Sequence, residues 1–162
     1  FLAGIGSGLA FLKGQSVLGG ILAQVASVVD GVDGDLARLK GMASPFGAFF
    51  DAVLDRYADA AIILGMTCWV AMDRGGSLTW IAGLAALVGS LMVSYSWAKA
   101  EASLNAEDDL PLFSKLASRD FRLLLVMIGG ILGIGLEVLL VLAFLTNLTV
   151  LLRILYFARS RH

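Results

Sequence analysis

Of the 162 residues, 59% are hydrophobic and 15% are charged, and the mean hydropathy is +0.88. Soluble domains carry about a quarter of their residues as charges, so a soluble core of this length would lack polar cover; the composition calls for a lipid-facing surface instead. A net charge of −1 supplies no basic field for nucleic acid, and Cys68, the one cysteine, makes neither an internal disulfide nor, alone, a metal site.

The chain opens at Phe1 with an apolar stretch to Leu12, too short to cross a bilayer, which takes roughly twenty helical residues. It has no basic start and no cleavage pattern, so a signal peptide is a poor reading. The expectation is the last part of a membrane helix whose beginning, and any soluble domain before it, lie outside this chain. Val17 to Val29 is apolar and runs without a proline into the charged stretch Asp30–Lys40, which predicts one long helix passing from lipid into water. Ser44-Pro45 restarts a helix, with serine placed to cap and proline at the first position. This third helix is expected from Phe46 to Met72, with a turn at Gly75-Gly76-Ser77 and a fourth span from Leu78 to Ala98. Asn105 to Ser118 is polar, contains Pro111 and is expected to be a loop. Phe121 to Gly135 and Val138 to Leu152 are the last two spans, joined at Gly135-Leu136-Glu137. The fold class is therefore all-α: a polytopic membrane bundle of six transmembrane helices, the first truncated, forming a single domain over residues 1–162.

The distribution of basic residues orients the bundle. With alternating spans, one side receives Arg38, Lys40, Arg56, Lys99, Lys115, Arg119, Arg122, Arg153, Arg159 and Arg161, and the other only Lys13 and Arg74. By the positive-inside rule the first side is cytoplasmic. The expected setting is the plasma membrane of a prokaryote.

Carboxylates near a membrane span are costly and need a reason. Asp30, Asp33, Asp35, Asp51, Asp55 and Asp59 all lie on or beside spans at the cytoplasmic end. On helices, Asp30 and Asp33 share one face, and so do Asp51 and Asp55. Two such faces packed together gather four carboxylates, whose repulsion at low dielectric calls for protons or cations. Hard divalent cations suit oxygen ligands, and magnesium keeps positions open for phosphates. Asp35 points away from the Asp30 face and reads as a solvated charge, while Asp59 continues the Asp51–Asp55 line one turn deeper, in a supporting position. Gly34, Ala37 and Gly47 keep the surroundings small, which serves close ligand approach or close helix packing. Arg38, two turns from Asp30, is placed to hold a phosphate oxygen, to pair with Asp35 or simply to mark topology.

Together these residues read Asp30-x-x-Asp33-Gly34-x-x-Ala37-Arg38, then eight residues, then Gly47-x-x-x-Asp51-x-x-x-Asp55. This resembles the signature of the CDP-alcohol phosphotransferase (phosphatidyltransferase) family, with every fixed position present. The resemblance implies that Asp30, Asp33, Asp51 and Asp55 bind metal, two Mg2+ ions with Mn2+ as the alternative. It implies that Asp55 is also the general base for the acceptor hydroxyl. Gly34, Arg38 and Ser44 would contact the CDP-linked donor, and Ala37 and Gly47 would make room for it. The acceptor hydroxyl attacks the β-phosphorus and expels CMP. The family further implies a homodimer.

Lys99, in Tyr95-Ser96-Trp97-Ala98-Lys99-Ala100-Glu101, and Arg119 and Arg122 at the start of the fifth span are similar to the inositol-phosphate-using branch. They are the candidates for binding the phosphate of an inositol-phosphate-type acceptor. Basic residues at span ends also simply mark topology. Three other readings compete. A cation transporter would place its site near the midplane on broken helices, often in repeated halves, whereas these acids lie toward one end and no repeat is visible. A non-enzymatic membrane module would leave the charged cluster as an unexplained cost. A prenyl-chain enzyme also uses aspartate-rich helices, but without Gly34, Ala37, Arg38 and Gly47 at this spacing.

Overall fold

The computed structural model describes residues 1–39, 44–104 and 117–159, and the side chains of 33–35, 37–39 and 104 lie outside that description. The described residues form six α-helices and no strand. In chain order they are α1 (Leu2–Leu12), α2 (Ser16–Leu39), α3 (Pro45–Arg74), α4 (Ser77–Leu104), α5 (Arg119–Leu132) and α6 (Gly135–Arg159). The predicted unbroken passage from Val17 into the charged stretch is present as α2. Ser44, extended at φ −121° and ψ 150°, accepts a 3.0 Å hydrogen bond from the Gly47 N–H, so the predicted cap on Pro45 forms. At the other end of α3, Gly75 and Gly76 take positive φ and make the predicted turn.

Three boundaries differ from expectation. α4 continues past Ala98 to Leu104, because Lys99-Ala100-Glu101-Ala102 are good helix formers with no break among them. The joint between α5 and α6 falls at Gly133-Ile134 rather than Gly135-Leu136-Glu137. Gly133 is the left-handed residue, at φ 71°, and it lets the Ile134 N–H reach back to the Gly129 carbonyl at 3.1 Å. α6 runs on to Arg159 instead of stopping near Leu152, because Arg153 is buried and hydrogen-bonded within the bundle rather than ending the span.

The helices pack chiefly as α1 on α2 and α3, α2 on α5, and α4 on α3 and α6. Phe11, Ile62, Met66, Val126, Leu139 and Leu142 form the centre of the core, all essentially without solvent exposure. α1 crosses α3 very closely: a Cβ placed on Gly65 would lie 2.7 Å from the Gly8 Cα. Backbones meet in this way when small residues line the crossing. Outside the core, Val141, Phe144, Leu151 and Ile154 of α6 are all at least half exposed, an apolar outer face suited to lipid.

Among the described residues, two helices are long and apolar enough to cross a membrane, over Ser77–Ser103 and Gly135–Arg159. α3 has the length, 30 residues, but its first half carries Asp51, Asp55, Arg56 and Asp59. Asp30 in the second half of α2 and these aspartates in the first half of α3 place the acidic groups at one end of the bundle.

Candidate metal and phosphate site

Asp51 and Asp55 lie one turn apart on α3, and the C-terminal half of α2 brings Asp30 against them. Each of the three offers a carboxylate oxygen, and these oxygens all lie within 4.8 Å of one another. Asp30 and Asp55 are half-buried and Asp51 is exposed, so the cluster opens to solvent on one side. A set of hard oxygen donors with an open side fits a magnesium-like cation, which keeps positions free for substrate oxygens, and does not resemble a zinc or thiolate site. The Asp33 carboxylate, the fourth expected ligand, lies outside the described side chains, as do those of Asp35, Ala37 and Arg38, and so does Gly34. Lys40, Lys115, Arg161 and residues 105–116 of the expected loop also lie outside the described residues.

Two of the arginines that reach the site come from α5. Ser118 caps that helix, accepting from the Phe121 N–H at 3.4 Å. Asp120 in its first turn accepts a hydrogen bond from Ser27 of α2, one turn before Asp30. This tie between α2 and α5 aims Arg119 at the aspartates. Its guanidinium donates two hydrogen bonds, Nη1 to Asp30 and Nε to Asp59 at 2.9 Å, while Nη2 lies 3.2 Å from Asp55 as an ion pair without a hydrogen bond. Planar forks of this kind match carboxylates in a way a lysine ammonium does not.

Asp59 is 2% exposed and does not belong to the group of three. One of its oxygens takes Arg119 Nε, and the other takes Arg122 Nη2 at 3.1 Å. Arg122 is 4% exposed, and its Nη1 donates to the Ser90 carbonyl at 2.9 Å and to the Ser90 hydroxyl at 2.6 Å. Arg56 donates to Ser94 and lies 3.7 Å from Asp55 and 4.0 Å from Asp59. Three aspartates, Asp30, Asp55 and Asp59, thus face three arginines across α2, α3 and α5, and each of these charges has a partner, the condition for burying ions at tolerable cost.

Of the three cations expected at an acceptor phosphate, Arg119 and Arg122 share Asp59, and Lys99 lines a different region. Arg119 touches two aspartates of the cluster, and Arg122 lies a layer deeper on Asp59 and Ser90. Lys99 is exposed and lines a cavity of about 510 Å³ between α4 and α6, with Tyr95, Ser96, Arg153 and Phe157. Arg153 there donates to the Val93 carbonyl at 2.6 Å and the Ser96 hydroxyl at 2.7 Å, and lies over the Trp97 ring. Of the proposed donor contacts, Ser44 and Gly47 are exposed at the N-terminus of α3, where a Cβ on Gly47 would meet only the Ser44 hydroxyl. Ser90, Arg56 and Arg153 escaped the sequence reading as site residues. For Arg153 a signal existed: a cation inside the apolar run Leu151-Leu152-Arg153-Ile154-Leu155 asks for a partner or a function. No comparable signal marks Ser90.

Residues 1–152 match the family model described as CDP-alcohol phosphatidyltransferase. The chain is 45% identical over 161 residues to the bifunctional IPC transferase and DIPP synthase of Rubrobacter xylanophilus, covering 99% of this chain and 35% of that protein. It is 33% identical over 131 residues to the archaetidylinositol phosphate synthase of Pyrococcus horikoshii, covering 81% of this chain and 64% of the relative. Among solved structures it is similar to the phosphatidylinositol phosphate synthase of Mycobacterium tuberculosis with CDP-DAG bound. That likeness has a TM-score of 0.78 and 29% identity, and covers 94% of this chain and 79% of the other. These relatives are of the inositol-phosphate branch. The chain spans about a third of the length of the bifunctional relatives it matches.

Proposed function

The chain belongs to the CDP-alcohol phosphatidyltransferase family, and from that premise we propose that it is a multi-pass membrane transferase. It moves a substituted phosphate group from a CDP-linked alcohol to the hydroxyl of an inositol-phosphate-type acceptor and releases CMP. The observation that carries the reading is the convergence of Asp30, Asp51 and Asp55 within 4.8 Å, with an arginine fork on two of them. Six helices with the basic residues gathered at the aspartate end support six spans with the site at the cytoplasmic face of a prokaryotic plasma membrane. The homodimer implied by the family is part of the proposal.

Asp30, Asp33, Asp51 and Asp55 hold Mg2+ in this reading, two ions, with Mn2+ able to replace it. The metal supplies charge neutralisation for the phosphates, and phosphoryl transfer depends chiefly on that and on positioning. Asp55 takes the proton of the acceptor hydroxyl as that oxygen attacks the β-phosphorus. The bond from that phosphorus to the bridging oxygen breaks, and CMP leaves. Gly34, Ala37, Arg38, Ser44 and Gly47 hold the donor, with the exposed N-terminus of α3 offering a site suited to anions. Arg119 neutralises charge at the aspartates and is the cation best placed to meet a phosphate there. Lys99 with Arg153 forms a second basic region from which an acceptor phosphate can be held.

The test is metal-dependent CMP release from purified protein given a panel of CDP-linked lipid and soluble alcohols, with and without inositol phosphate. Release is expected with at least one donor in Mg2+ or Mn2+, rising with inositol phosphate and lost in EDTA. A protein that binds the metal and releases no CMP from any pair would refute the transferase reading and return the cation-transporter alternative.

A further inference from the structure

We propose that Arg119 is a built-in counter-cation that competes with divalent metal for Asp30 and Asp55, and that Asp59, held by Arg122, is the positioning residue that keeps it there. The proposal rests on the metal reading above. It comes from how the three nitrogens of one guanidinium are divided. Nη1 and Nη2 engage Asp30 and Asp55, both members of the group of three that fits a cation. Nε engages Asp59 at 2.9 Å, outside that group. Two edges of one planar cation therefore serve different purposes. The terminal nitrogens sit against two carboxylates of the group that fits a metal, and the Nε edge stays on a carboxylate outside it.

The Asp59 anchor is built to resist movement. Both of its oxygens are used by arginines, and the second arginine, Arg122, is fixed in turn by the carbonyl and the hydroxyl of Ser90 on α4. Asp59 and Arg122 are 2% and 4% exposed. A merely charge-balancing arginine would need no such support, since Asp30 and Asp55 alone would hold it. Cations entering the group would draw these two carboxylates away from the Nη groups while Nε keeps Asp59. Freed N–H donors are then left at the metal rim, where phosphate oxygens would arrive. Before cations enter, the same nitrogens hold apart the repulsion between Asp30 and Asp55.

Mn2+ binding to the purified full-length protein, followed by the loss of free Mn2+ signal in electron paramagnetic resonance, tests this without any CDP-alcohol. Wild type, Arg119→Gln, Asp59→Asn and the double variant form a cycle. Arg119→Gln is expected to tighten Mn2+ binding about tenfold in the wild-type background and less than about threefold in the Asp59→Asn background, a coupling in the range seen for contacting groups. Equal tightening in both backgrounds, or no tightening by Arg119→Gln, would overturn the proposal, as would a failure of Arg119→Gln to bind Mn2+ at all. Arg119→Lys decides the matter if Asp59→Asn does not fold. It keeps the charge but lacks the fork, so it should tighten binding as glutamine does, whereas wild-type affinity would show that charge alone acts. A correct cycle in a protein that releases no CMP would leave this inference standing and remove the transferase reading, so the two failures are distinguishable.

Discussion

α3 carries an arginine–carboxylate pair near each end of the bundle, and the two make opposite use of the same chemistry. Asp59 meets Arg122 at 3.1 Å, and fifteen residues further on Arg74 meets Glu137 at 2.8 Å. The first pair is 3% and 4% exposed at its side chains, and the second 51% and 43%. By distance alone the second is the better bond. Burial reverses that order, because a charge withdrawn from water must be matched by its partner, whereas an exposed pair exchanges little more than hydration. The deep pair is one step of a chain of contacts that ends on Asp30 and Asp55, and the exposed pair only links the end of α3 to the start of α6.

The largest effect expected at the deep end is on chemistry. Asp55→Asn should lower CMP release by roughly a thousandfold, the scale of losing a general base, while circular dichroism still reports a helical protein. Near-wild-type turnover would remove Asp55 from the role of base. Next comes stability. Arg122→Ala leaves Asp59 with one of its two hydrogen-bonded guanidinium partners gone, and breaking a buried pair costs about 3–5 kcal/mol, read as a lowered thermal midpoint in detergent. Replacing both members, as in Asp59→Leu with Arg122→Met, should recover most of that loss without recovering activity, because the charge is no longer stranded but Arg119 has lost its anchor. If the single and double variants are equally unstable, the pair is not acting through its charges.

A smaller effect is expected where α1 crosses α3. Gly65→Ala would put a methyl group 2.7 Å from the Gly8 Cα, and forcing helices apart in a packed interior costs about 1–3 kcal/mol. The change should lower the midpoint and leave Mn2+ binding intact, since Asp59 lies well over one helical turn from Gly65. A parallel loss of metal affinity would show that the crossing and the site are not independent.

How much of this was legible in the sequence follows from the range of each interaction. Ser44-Pro45 and Gly75-Gly76 set the ends of α3 through contacts a few residues long, and the structure has them where the sequence put them. Asp51 and Asp55 share a face by helical geometry alone, and Asp30 joins them as the two-face reading required. The junction at Gly133 was misplaced because Gly133 and Gly135 are equally good sequence signals, and which one takes the left-handed conformation is decided by which carbonyl Ile134 can reach. The fate of Arg119 and Arg122 was the least legible. Both were candidates for a phosphate, and nothing local distinguishes them. They are separated by contacts to Asp59 and Ser90, which lie 60, 63 and 32 residues away in the chain.

The smallest effect is expected at the exposed pair, and it sharpens the contrast best. Arg74→Ala removes a 2.8 Å bond to Glu137, yet the midpoint should stay where it is in moderate salt, because water replaces the guanidinium at an exposed carboxylate and the freed side chain regains its rotamers. Any effect should appear only at low ionic strength and fade as salt is added. Arg122→Ala should behave in the opposite way, with a loss that salt leaves unchanged, since ions screen buried charges poorly. The pair of salt titrations therefore compares burial rather than bond length. A salt-insensitive loss at Arg74 would mean that the α3–α6 end is closed to water, and the two ends would then have to be treated as equals.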